Sequence, residues 1–173
     1  NSGSANTTGS NNITIGHAAK VPSGTSSKQI RLGNSAITYA GIQVAWTVTS
    51  DRRLKSNILN SNLGLGFINK LRPVSYIRLN DDKQSTEYGF ISQEVDELLK
   101  EVSQENTGMI SMDDEGTYSL RYNDLIAPMV KAIQELSEGL AAEKKENNEW
   151  ISRNRILEER LTKFEEQQNK LIK

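Results

Sequence analysis

The chain has 173 residues, 35% of them hydrophobic, and a net charge of −1. The apolar share is below that of an ordinary globular domain, which argues against one compact core using the whole length. The balanced charge gives no reason to expect nucleic acid or a membrane surface as partner. With no Cys there is no disulfide scaffold and no thiolate metal site, and no metal site of any kind is expected. No apolar run is long enough to span a bilayer, and the Asn/Ser/Gly opening is not a signal peptide. The chain begins at Asn1 rather than Met, so it is expected to be a fragment of something longer.

Residues 1–49 are rich in Asn, Ser, Thr and Gly, and contain no Asp or Glu. Their charge is +3, from Lys20, Lys28 and Arg31. Short alternating runs stand between turn residues: Ile13-Thr14-Ile15, Ile30-Arg31-Leu32, and Ile42 through Val48. Period-2 alternation with β-branched residues predicts strands. These strands are too short and polar to bury a core alone. The pattern suits a fibrous β-structure whose narrow core is shared by several chains; the competing reading is a disordered linker.

Residues 50–124 read as a small mixed α/β domain. Leu63, Phe67, Ile68 and Leu71 lie at helical spacing, and Pro73 stops the helix. Val74–Leu79 and Tyr88–Ile91 are predicted strands that pair across the turn at Asn80–Lys83. Ser92 through Val102 is predicted as an amphipathic helix with Ser92 as N-cap and Val95, Leu98, Leu99 and Val102 on one face. Met109–Met112 and Tyr118–Tyr122 flank Asp113–Gly116 as a hairpin.

Residues 125–173 carry a heptad pattern. With Ile126 at position a, the a positions are Ile126, Ile133, Leu140, Asn147, Asn154, Leu161 and Gln168. The d positions are Met129, Leu136, Glu143, Trp150, Leu157, Phe164 and Leu171. Ten of these fourteen are apolar, and the register never breaks. That predicts a long helix in a coiled coil, with the polar a positions setting register and chain number at a cost in stability. The competing reading is a lone amphipathic helix folded back on its own domain. Pro128 falls in the first turn, where it is tolerated. The predicted whole is α+β, in an elongated or oligomeric architecture.

The chemistry concentrates where the first segment meets the second, at Ser50-Asp51-Arg52-Arg53-Leu54-Lys55. All 22 acidic residues lie after Ser50. A serine hydroxyl needs a base to become a nucleophile. The single histidine, His17, lies 33 residues earlier with no carboxylate near it in sequence, and reads as a surface or packing residue. A lysine amine is the alternative base, provided burial or neighbouring positive charge keeps it neutral. Arg52 and Arg53 beside Lys55 offer such charge. Ser50 shares the parity of Ile42, Val44, Trp46 and Val48, so a continuing strand would turn its hydroxyl to the apolar face. On a regular helix Ser50 and Lys55 would be about 140° apart, so they meet only across a turn or between chains. Spacing alone favours a blander reading, Ser50 as an N-cap before a basic first turn.

Ser50-Asp51-Arg52-Arg53-Leu54-Lys55-Ser56-Asn57-Ile58 resembles the opening signature of the intramolecular chaperone auto-processing domain, peptidase family S74. Tyr88-Gly89-Phe90-Ile91-Ser92-Gln93-Glu94-Val95 is similar to a second block. Tyr122-Asn123-Asp124-Leu125-Ile126, running into Lys131-Ala132-Ile133-Gln134-Glu135-Leu136, is similar to a third. The resemblance spans residues 50–173, and residues 1–49 resemble the end of a trimeric phage tail spike, tail fibre or neck appendage in kind only.

The resemblance implies a domain, found also in the eukaryotic myelin regulatory factor, that trimerises and guides the upstream β-structure. It then cuts the chain and is released. It implies Ser50 as nucleophile, Lys55 as base and Thr49–Ser50 as the scissile bond, with Asp51 in a turn-forming or orienting role. The implied partners are two further copies of the chain and the upstream fibre; the implied place is the host cytoplasm during virion assembly. Cofactors are not expected: ATP-assisted release would need a nucleotide site, and no Gly-x-x-x-x-Gly-Lys-Ser/Thr motif occurs. The rival readings are a purely structural fibre tip and a receptor-binding tip, neither of which cuts itself.

Overall fold

A computed structural model describes residues 1–104 and 107–171; residues 172 and 173 of the expected third segment lie outside the described residues. Among the described residues the protein is mixed α/β, with three separate two-stranded sheets and a long C-terminal helix.

The first two strands, β1 (Ile13–Ile15) and β2 (Ile30–Leu32), fall on two of the alternating runs. They pair in parallel, Ile13 opposite Ile30 and Ile15 opposite Leu32. This is a repeat with a period of 17 residues, which the sequence reading did not see. Gln29 N–H donates to the Asn12 side chain, and Asn34 donates to the His17 carbonyl. Asn11 and Lys28, also 17 apart, both adopt positive φ, at 57° and 61°. Gly16 and Gly33 do the same at 107° and 72°. A Cβ on Gly16 would lie 3.3 Å from the Gly33 Cα, so the glycines let two successive turns stack closely. This part of the chain thus supplies its own strand ladder.

The third alternating run does not form a strand. Ile42 to Val48 is irregular, with a bend at Gln43 and Val44. Its apolar residues Ile42, Val44, Trp46 and Val48 are 53–77% exposed. A strand is held by a hydrogen-bonded neighbour, and in the single chain no described segment pairs with this one.

The small domain follows the expected order. Helix α1 (Leu65–Ile68) precedes β3 (Val74–Ile77), which pairs antiparallel with β4 (Thr86–Gly89). Helix α2 (Ser92–Glu101) follows, then the hairpin of β5 (Ile110–Met112) and β6 (Tyr118–Leu120). One core joins them: Phe67 from α1, Val95, Leu98 and Leu99 from α2, Met109 before β5, and Leu125. Leu63, Ile68, Leu71 and Val102 pack against it, so the spacings expected to be apolar faces are core. Ser92 is not the N-cap of α2. It is the first helical residue, and Ile91 holds the cap position without a side-chain bond. Glu94 in that first turn accepts from Arg72 instead.

A 3-10 turn, Tyr122–Leu125, leads into α3 (Ile126–Leu171), 46 residues and roughly 70 Å long. Its beginning has two faces. Pro128 and Ala132 are buried and Glu135 is half-buried, and this face packs on α1. The heptad seam lies elsewhere and does not fold back on the domain. From Ile126 to Phe164, its nine apolar residues are 44–67% exposed. No helix among the described residues is long and apolar enough to cross a membrane.

The first segment touches the domain at a few polar points. Lys20 pairs with Glu115, the Asp114 N–H donates to the Pro22 carbonyl at 3.2 Å, and the Asn80 side chain donates to the Ser35 carbonyl.

Candidate active site

The seam forms a tight turn. Asp51 is extended, at φ −67° and ψ 132°, and caps a 3-10 turn at Arg52–Leu54. Its Oδ1 accepts from the Arg53 N–H at 2.8 Å. Arg53 also folds its guanidinium back onto the same carboxylate, with Nη2 2.7 Å from Oδ2 and Nε 3.1 Å from both oxygens. This clamp and the backbone bond hold the Asp51 carboxyl below its ordinary range. Two backbone bonds close the turn: Leu54 N–H to the Asp51 carbonyl and Lys55 N–H to the Arg52 carbonyl, both 3.1 Å.

The turn reverses the chain between Ser50 and Lys55. The Lys55 Nζ lies 2.6 Å from the Ser50 Oγ. Two residues five apart, which a regular helix would set on different faces, meet within one chain. The distance is that of a nucleophile and its base in hydrogen-bond contact. Asp51, not Ser50, is the capping residue, so the Ser50 side chain is directed to Lys55 rather than to the turn's N–H groups.

Two expectations about the surroundings need correction. Arg53 does not offer free positive charge to Lys55, because its guanidinium is paired with Asp51. Nor does Ser50 lie in a water-poor place in the single chain: Ser50, Lys55 and the residues from Ala40 to Thr49 are all exposed. The apolar row has no cover of its own, so the parity of Ser50 with it does not by itself exclude water.

His17 is exposed, and its recorded contact is a backbone one to Asn34. The role of Arg53 as the clamp on Asp51 was missed in the sequence. An acidic residue two before an arginine is common, and only the 3-10 turn makes the pair bidentate.

Residues 50–103 match the family model described as chaperone of endosialidase. The match begins at Ser50 and takes in the seam, α1, the β3–β4 pair and α2. The third family-like block, from Tyr122 to Leu136, falls outside it. No curated protein matches the chain.

Proposed function

We propose, from the match of residues 50–103 to the chaperone-of-endosialidase family model, that this chain is an intramolecular chaperone that cuts itself free. Three copies associate through the exposed heptad seam of α3, guide the upstream β-segment into a trimeric fibre of the phage tail-spike or tail-fibre kind, and then cleave at Thr49–Ser50. The observation that carries this reading is the 2.6 Å contact between Lys55 Nζ and Ser50 Oγ at the first residue of the family match.

The chemistry follows from the position of the bond. The neutral Lys55 amine takes the Ser50 hydroxyl proton, and Oγ attacks the Thr49 carbonyl carbon through a five-membered ring. The Thr49–Ser50 C–N bond breaks as the proton on Lys55 passes to the departing nitrogen. Thr49 is then held to Ser50 Oγ as an ester, with Ser50 carrying a free amine. Water adds to the ester, and Thr49 leaves as a carboxylic acid. Asp51 orients the turn by fixing Arg53. No cofactor takes part.

Assembly supplies what the single chain lacks. The uncovered row from Ile42 to Val48 runs directly into the scissile bond, and neighbouring chains would cover it. A drier site favours the neutral amine and ties the cut to completed assembly. Association also raises the effective concentration of the upstream segments, whose interchain pairing is slow. Loss of the scaffold afterwards makes the fibre's stability kinetic. The proposed setting is the host cytoplasm during virion assembly.

A denaturing gel tests the proposal. Wild type yields two fragments split before Ser50, and Ser50→Ala and Lys55→Ala each yield one. An intact wild-type band after trimer assembly refutes self-cleavage and leaves a structural or receptor-binding tip.

A further inference from the structure

We propose that Glu135 is a positioning residue that ties the seam helix α3 to the segment carrying Lys55. This rests on the self-cleavage reading above and adds to it the link between assembly and the dyad. The Glu135 Oε2 accepts from the Leu65 N–H at 2.7 Å, across 70 residues of sequence. Leu65 opens α1, where the first N–H groups have no partner within the helix and a carboxylate is favoured. Lys131, one turn earlier on α3, lies 3.4 Å from Oε1 and holds the carboxylate in place.

The approach is close enough to dictate the neighbouring residue. A Cβ on Gly64 would lie 2.3 Å from Oε2 and 2.6 Å from Oε1. The carboxylate therefore sits directly on the Gly64 backbone. Between Gly64 and Lys55 run residues 56–63, which form no helix or strand. Asn60 and Ser61 of this stretch face Ile126, Val130 and Gln134 of α3 across a shallow groove. The Lys55 loop is thus held at one end by its own 3-10 turn and at the other by Glu135.

Glu135 lies between Ile133 and Leu136, which are both seam residues. When the seam docks on two further copies, the rotation of α3 about its axis is set, and Glu135 passes that setting to Gly64 and Leu65. Seam contact thereby reaches the dyad without either touching the other.

Self-cleavage rates are measured for Glu135→Ala and Glu135→Gln, with trimer content read by sedimentation. Glu135→Ala is expected to cut at least tenfold more slowly while remaining trimeric. Glu135→Gln keeps an acceptor oxygen for Leu65 and is expected to recover most of the rate. An alanine variant that cuts at the wild-type rate, or one that loses the trimer, overturns the proposal, as does a glutamine variant as slow as alanine. Amide exchange in the Ser50→Ala background gives a readout independent of cutting. There Glu135→Ala is expected to speed exchange at Leu65 at least tenfold, with α2 unchanged. Unchanged exchange at Leu65 also overturns it. If wild type does not cut but exchange responds as expected, the self-cleavage reading fails and the positioning contact stands.

Discussion

Lys55 Nζ and Ser50 Oγ are 2.6 Å apart because Asp51 caps the 3-10 turn that lies between them. The cap uses Asp51 Oδ1 and the Arg53 N–H, which leaves the Ser50 hydroxyl to Lys55.

The proposed pairing of Ser50 with Lys55 makes a discriminating prediction about charge. Lys55→Arg keeps a cation within reach of Ser50, but a guanidinium does not give up its proton at accessible pH. It should fail as completely as Lys55→Ala, with a loss of about 10²–10⁴-fold, the usual weight of a general base. Quantified gels over hours decide this. A Lys55→Arg chain that cuts well would mean that lysine contributes charge alone.

Asp51 should matter through the turn. Its carboxyl is lowered chiefly by the Arg53 side chain and next by the Arg53 N–H. The sign follows: the cap is fully present above the ordinary Asp value of 3.8 and is lost as pH falls through the lowered folded value. The Arg53 amide shift, followed by NMR in Ser50→Ala, should hold steady down to that ordinary value and move only below it. Asp51→Ala at neutral pH should show the shifted position and cut up to about a hundredfold more slowly, the size of loss that misplacing reacting groups by about 1 Å brings. An Arg53 amide that moves near pH 5 would contradict the clamp.

The seam separates single-chain from assembled energetics. Leu136 and Leu157 are exposed in the single chain, so truncating either should cost within about 0.5 kcal/mol if the chain works alone. If the seam is buried between copies, each Leu→Ala change should cost about 2–5 kcal/mol. Denaturation at several protein concentrations, with sedimentation, distinguishes the two. Unchanged stability and unchanged mass in both variants would remove the coiled coil.

Gly64 and Glu135 should behave as one unit. A methyl at Gly64 displaces the carboxylate from Leu65. Gly64→Ala and Glu135→Ala should therefore each lower the melting temperature, and the double variant should lower it no further than the worse single one. Neighbours that share one contact are non-additive. Strict additivity in the double-mutant cycle would show the two sites to be independent.

Much of the domain was legible because local spacing and burial agree there. Leu63, Phe67, Ile68 and Leu71, and then Val95, Leu98, Leu99 and Val102, lie at helical spacing and meet in one core. The β3–β4 and β5–β6 pairs followed from alternation around turn residues. The run from Ile42 to Val48 was misread for the complementary reason. Alternation states that a segment could pair, and pairing needs a neighbour that the single chain does not provide. The 17-residue repeat is carried by few identities, among them Ser10 with Ser27, Ile13 with Ile30 and Gly16 with Gly33, and becomes plain only with the shared positive φ of Asn11 and Lys28 and of Gly16 and Gly33.

The seam helix, the apolar spacings of the core and the candidacy of Ser50 and Lys55 are all legible in the residues alone. Each of these is written in positions close together along the chain. The meeting of Ser50 and Lys55 within one chain, the Arg53 clamp on Asp51 and the reach of Glu135 to Leu65 emerge from the folded chain. The physical reason is that a turn's geometry and a contact across 70 residues depend on where the backbone goes, and residue spacing specifies that path only once the core has closed.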